Sequence, residues 1–273
     1  MKRGFASLVL VAASAALPSG AWAQTAAPSG SVGAENRLFL RFVEDAAVVP
    51  SYWLEGQARF QNNSLDFDGD GEDDGEATLL SVGPVFALNV AEDFEFGARV
   101  ALAHRDPDAG GSETGLTDLD LWGKLSVVTD PVKIALGILL TAPTGDEDKL
   151  LGTGETNVEF FGGLRKDYSR LTLAANLGLR VNQDLDIEGF EVEGQNSFLA
   201  GVGILVPAGQ KLVITGEFAI ESERYEGTRT DSRLLGGAEY RTNESFLIRG
   251  AVAGGLSTAA PDVELLGSAV WIF

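Results

Sequence analysis

The sequence predicts an all-β fold: a single transmembrane antiparallel β-barrel of about 12 strands, with short periplasmic turns and longer extracellular loops. Three observations point there. From Tyr52 onward, apolar and polar residues alternate through runs of roughly ten residues, the span a tilted strand needs to cross a bilayer. The connections between these runs are alternately short and long. The chain stops on an aromatic, Phe273, with Trp271 two residues before it.

Residues 1–23 read as a secretory signal. Lys2 and Arg3 supply the positive start, Phe5 to Leu17 is a short apolar stretch, and Pro18 and Gly20 break it. Ala21-Trp22-Ala23 has the small-x-small pattern of a cleavage site, so the mature chain is expected to begin at Gln24. An N-terminal membrane anchor is the alternative, but the apolar stretch is short for a spanning helix. No later window holds 18 consecutive apolar residues, so no spanning helix is expected beyond it.

Residues 24–51 precede the barrel as an N-terminal periplasmic segment or plug. Gln24 to Gly33 is small and polar. In Arg37 to Val49, a helix would place Phe39, Phe42, Val43 and Ala46 on one face. An inward-folded plug and a short periplasmic tether both fit.

The barrel is expected over 52–273. Its clearest run is Arg170 to Asn182, where Leu171, Leu173, Ala175, Leu177, Leu179 and Val181 share one face and Arg170, Thr172, Asn176, Arg180 and Asn182 the other. A helix would mix these sets, whereas a strand separates them. Twelve runs are found, near 52–64, 77–90, 93–105, 116–129, 132–143, 155–166, 170–182, 194–206, 211–222, 230–241, 245–255 and 262–273. Lipid offers no hydrogen bonds, so such a sheet must close on itself. The apolar faces then meet lipid, where a mid-depth Arg or Lys would cost about 2–4 kcal/mol. The lumen is therefore expected to receive Glu55, Arg59, Glu95, Arg99, Lys124, Lys133, Glu155, Glu159, Arg165, Arg180, Glu217, Arg233, Glu239, Arg241 and Arg249. Tyr52, Phe94, Trp271 and Phe273 fall where an interfacial aromatic girdle would lie.

Composition narrows the function. Forty acidic residues face 20 basic ones, which excludes a general nucleic-acid binder, since phosphate contacts need clustered Lys and Arg. There is no cysteine, hence no disulfide, thiolate-bound zinc or thiol nucleophile. The single histidine, His104, has Arg105 and Asp106 after it and no serine at a catalytic spacing, so no catalytic residue is assigned and no enzyme is expected. Gly152-Thr153-Gly154 lacks the lysine of a phosphate loop and reads as a turn opening a strand.

The stretch from Gly115 to Asn182 resembles the outer-membrane transporter family named for the phenol meta-degradation pathway. The residues that carry it are Gly115-Leu116-Thr117-Asp118-Leu119 with Lys124, Pro143-Thr144-Gly145, Gly152-Thr153-Gly154 and Asn176-Leu177-Gly178. Val48-Val49-Pro50, with Trp53 and Glu55, fits the family's opening segment. Thr117 stands where the family has a second glycine. The resemblance implies a barrel in the bacterial outer membrane that passes small, often hydrophobic, organic solutes. The terminal Trp271 and Phe273 likewise resemble the signal read by the barrel-assembly machinery, with Ser268 at the usual glycine position.

Asp66-Phe67-Asp68-Gly69-Asp70-Gly71-Glu72-Asp73-Asp74 spaces carboxylates as a calcium loop does. Asp66, Asp68, Asp70 and Asp74 would offer side-chain oxygens and Glu72 a backbone carbonyl, but Ala77 occupies the place of the bidentate glutamate in a full EF-hand. A solvated acidic loop is the other reading. On the outer face it would adjoin lipopolysaccharide, whose phosphates bind divalent cations. The expected partners are thus outer-membrane lipid, lipopolysaccharide, the assembly machinery and a small organic solute. The expected function is passive transport of that solute, and the alternative is a closed structural barrel whose acidic loops do the work.

Overall fold

The computed structural model describes residues 43–49, 51–65, 75–91, 93–108, 111–129, 131–146, 149, 151–187, 190–226 and 228–273. The described strands are β1 (Tyr52–Leu65), β2 (Gly75–Ala91), β3 (Phe94–Arg99), β4 (Leu102–Pro107), β5 (Glu113–Leu116), β6 (Leu119–Thr129), β7 (Val132–Ala142), β8 (Asn157–Asp167), β9 (Thr172–Val181), β10 (Leu185–Ile187), β11 (Phe190–Val192), β12 (Ser197–Pro207), β13 (Leu212–Glu221), β14 (Asp231–Asn243), β15 (Phe246–Gly255) and β16 (Val263–Ile272).

Fourteen of these strands form one antiparallel sheet, which closes because β1 pairs with both β2 and β16. β3 and β4 are successive halves of one stave, both paired to β2, and β5 and β6 are halves of the next. The barrel therefore has twelve staves, and the twelve expected runs fall on them. Closure removes the free sheet edge everywhere but beside β5, which pairs only with β4. β10 and β11 form a separate hairpin in the long connection after β9.

Burial fixes the direction of the two faces. Leu136, Leu177 and Phe198 are 62%, 70% and 68% exposed, while Glu55 and Lys124 are fully buried. A water-soluble barrel would reverse this assignment. The greasy exterior is the lipid face, and the ionic side chains point into the cylinder. Tyr52, Phe94, Trp271 and Phe273 are all exposed at the end of the barrel that carries the short turns, as an interfacial girdle requires. Phe273 donates its N–H to the carbonyl of Tyr52 at 3.0 Å, so the last residue sits on the closing seam.

The interruption at Val100-Ala101 has a cause in the neighbouring stave. Opposite it in β2 stand Gly83 and Pro84, between the pairs Val82↔Leu102 and Val85↔Arg99. Proline has no N–H to donate to the ladder. Gly83 admits a close approach, since a Cβ there would lie 2.1 Å from the Val100 carbonyl oxygen. On the other side Thr117 repairs the gap: its N–H donates to the Ala101 carbonyl at 2.9 Å, and its Oγ1 accepts from the Ala101 N–H at 3.0 Å.

Candidate functional site

The candidate site is the lumen, where side chains from most staves converge on residues 43–49. This short segment lies inside the cylinder, and Val43, Asp45, Ala46 and Val49 are fully buried. Its backbone polar groups cannot reach water, so side chains must satisfy them: the Ala47 N–H donates to Asp45 Oδ1 at 3.1 Å, and the wall takes others. The N–H of Val43 donates to Glu217 Oε2 at 3.3 Å and that of Val49 to Glu95 Oε2 at 2.8 Å. Asn89 Nδ2 donates to the Val49 carbonyl at 2.9 Å, and Ser126 Oγ to that of Ala46 at 2.6 Å. Lys124 Nζ reaches two carbonyls, those of Asp45 (3.1 Å) and Ala47. The Asp45 carboxylate pairs with Arg165, which also holds Asp167.

The two ends of the segment are seated in apolar pockets. Val43 packs with Ala174, Leu205 and Val213. Val49 joins Trp53, Val85, Ala87, Trp122, Leu139, Leu247 and Val270 in a cluster at the short-turn end. The lumen is thus not ionic throughout: it has an apolar floor. Between the ends the segment runs so close to β8 that a Cβ on Gly163 would lie 2.9 Å from the Glu44 carbonyl oxygen. Glu44 itself is buried, and burial pushes its carboxyl up to about 8, against the opposing pull of Lys124.

Above the floor the charges sort into paired groups. Arg180 meets Glu159 and, at 2.7 Å, Glu221. Arg224 also bonds Glu221. Arg59 lies 3.8 Å from Glu264, which Arg233 approaches at 3.2 Å. Arg99 pairs with Asp120, and Arg249 with Glu55 beside the Trp53 ring. Desolvating ions is costly, and pairing with hydrogen bonds to the remaining donors offsets that cost.

At the long-loop end the connection between β7 and β8 folds inward. Asp118, at the gap between β5 and β6, accepts from the N–H of Gly145 at 2.9 Å, the N–H of Thr153 at 2.7 Å and the Thr153 hydroxyl at 2.9 Å. Leu119 N–H donates to Thr144 Oγ1 at 3.0 Å. Residues that lie far apart in sequence, 115–119, 143–145 and 152–154, therefore meet at one carboxylate. This latch carries Leu151 into the mouth, where it packs on Leu79 and Ala103.

Of the residues expected in the lumen, Glu55, Arg59, Glu95, Lys124, Glu159, Arg165, Arg180, Glu217, Arg233, Glu239 and Arg249 are buried there. Arg99, Lys133 and Arg241 are half-buried on the same face. Glu155 is a correction: β8 starts at Asn157, and Glu155 lies exposed in the preceding loop, its carbonyl accepting from Thr153 Oγ1 at 3.0 Å. Strand parity puts Arg105, Asp120, Glu221 and Glu264 on the same inward face, and they too are buried; Asp45 and Asp118 lie outside the strands, where parity gives no signal. The acidic motif Asp66, Asp68, Asp70, Glu72 and Asp74 lies outside the described residues. His104 faces outward and bonds Thr114 Oγ1 through Nδ1 at 2.8 Å.

No family model matches the chain, and no curated protein matches it by sequence. Solved structures match its fold. The chain is similar to the COG4313 outer membrane channel from Pseudomonas putida F1, with a TM-score of 0.65 at 15% identity, over 91% of this chain and 100% of that one. It is also similar to a KdgM porin in complex with disordered oligogalacturonate, with a TM-score of 0.52 at 12% identity, over 81% of this chain and 99% of that one. At these identities the likeness shows the fold, a twelve-staved barrel of the outer-membrane type.

Proposed function

We propose that the chain is an outer-membrane channel for passive movement of small organic solutes, with residues 43–49 as its inner gate. The observation that carries this reading is the way the segment is held. It fills the cylinder near the short-turn end, yet no strand pairing ties it to the wall. Its described attachments are individual hydrogen bonds, one ion pair and two apolar contacts. A segment held this way can leave and return without opening the barrel ladder.

The fold supports the outer-membrane location, and the matched channel and porin support transport over catalysis. The resemblance of Gly115–Asn182 to the phenol meta-degradation transporter family supports small, hydrophobic or aromatic solutes as cargo. An excess of acidic over basic residues, 40 against 20, disfavours polyanions. In this reading lipid and lipopolysaccharide surround the apolar band, Trp271 and Phe273 address the assembly machinery, and calcium orders the Asp66–Asp74 loop. Liposome swelling with benzyl alcohol and with a neutral sugar tests the reading. Permeability above protein-free liposomes supports it, and none for either solute contradicts it.

A further inference from the structure

Arg105 breaks the pattern of the lumen. It projects inward from β4, 5% exposed, and its Nε and Nη2 have no hydrogen-bond partner. Arg59, Arg99, Arg165, Arg180, Arg233 and Arg249 each meet a carboxylate, whereas Arg105 has no ion pair among the described residues. Among the described residues the nearby acids are not available to it. Glu113, opposite it in the ladder, is exposed, and Asp146 is engaged by Lys149 at 3.2 Å. Two guanidinium nitrogens that have lost hydration without gaining an acceptor are unfavourable until an anion arrives.

Its surroundings specify which anion. Leu79 stands opposite Arg105 in the β2–β4 register, and Ala103 precedes it on the same face. Leu151, brought in by the Asp118 latch, completes an apolar cluster with these two. We propose that Arg105 and this cluster form a subsite in the outer lumen for monocarboxylates with a small apolar body, of which benzoate and hexanoate are examples. The planar fork of the guanidinium matches a carboxylate with two parallel hydrogen bonds, and the apolar body lies on Leu79 and Leu151. The acidic loops do not forbid this, because salt screens exposed charges beyond roughly 8 Å while a buried contact keeps its strength. The subsite deepens the channel reading and rests on it for its place in a solute's path.

The test is calorimetric titration of the full chain in lipid nanodiscs with benzoate, benzyl alcohol, acetate and inorganic phosphate. Benzoate is expected to bind, Arg105→Gln to weaken it tenfold or more, and benzyl alcohol to be unaffected by that change. Leu151→Ala is expected to weaken benzoate several-fold and leave acetate unchanged. If Arg105→Gln does not fold, the Leu151→Ala comparison decides alone. The subsite is overturned if benzoate does not bind, if either variant binds it like the parent, or if phosphate or benzyl alcohol binds the parent as tightly. Liposomes impermeable to neutral solutes, with Arg105-dependent benzoate binding intact, would remove the channel and leave the subsite. Permeable liposomes without benzoate binding would do the opposite.

Discussion

Lys124 and Glu95 face each other across the β3–β6 ladder with Nζ 3.4 Å from Oε2, both fully buried, and each also holds the inner segment. Lys124 takes the carbonyls of Asp45 and Ala47, while Glu95 takes the N–H of Val49 and, at 2.9 Å, the indole N–H of Trp122. Two wall residues, paired with each other, thus clasp the contents of the barrel. Lys124→Met removes two hydrogen bonds and strands the Glu95 charge, a loss of about 3–5 kcal/mol for a buried pair. The expected result is a segment that leaves its seat, read in planar bilayers as a rise in conductance. Unchanged conductance in a folded Lys124→Met protein would contradict the clasp.

Gly163 gives an independent lever, because it acts by shape and not by charge. A side chain there meets the Glu44 carbonyl at 2.9 Å, closer than Cβ atoms tolerate, and the segment or β8 must move. β8 is hydrogen-bonded on both sides, so the segment is expected to yield. Gly163→Val should therefore raise conductance while the barrel's thermal unfolding stays within a few degrees of the parent.

The staves themselves were legible from sequence because alternation is a local signal with a period of two. Arg170 to Asn182 and the last strand to Phe273 face as their parity says. Three features were not legible. The break at Val100-Ala101 is caused by Gly83 and Pro84 in another stave, so nothing at the break announces it. Asp45 lies before the first strand, where parity assigns no face. Trp53 and Trp122 share the inward parity with charged residues, and only the closed barrel shows that they build an apolar floor around Val49. Glu155 falls outside the lumen for a related reason: the alternation extends two residues ahead of Asn157, where pairing starts. The motif residues 115–119, 143–145 and 152–154 could be read as turns, but that they converge on Asp118 is a fact of three dimensions.

The Asp118 latch predicts a local effect at the mouth. Its carboxylate accepts three hydrogen bonds, each worth roughly 1.5–3 kcal/mol when the acceptor is charged. Asp118→Ala should speed amide hydrogen exchange at Gly145 and Thr153 at least tenfold and leave β12 to β15 as protected as in the parent. Equal exchange at those two amides would show that the loop is held by something else.

Release of the inner segment is expected to depend on pH. Glu44 is neutral at neutral pH while seated, its carboxyl raised from 4.5 to about 8 by burial, with Lys124 and Arg99 opposing and Glu159 and Glu95 reinforcing the rise. On release it ionises at its ordinary value. Below 4.5 both forms are protonated and pH has no influence; between 4.5 and about 8 rising pH increasingly favours release; above about 8 the effect is complete. Each unit of difference is a tenfold factor, so open probability should rise tenfold or more from pH 5 to pH 8. Glu44→Gln should flatten that profile.

The gate is tested most directly by locking it. Ser126 Oγ lies 2.6 Å from the Ala46 carbonyl, and the chain has no cysteine of its own, so a double substitution Ala46→Cys, Ser126→Cys introduces one defined pair. Once mass spectrometry confirms the disulfide, single-channel conductance is measured in planar bilayers before and after reduction. The gate predicts low conductance in the oxidised protein and a clear rise when the bond is cut. The same conductance in both states would contradict it.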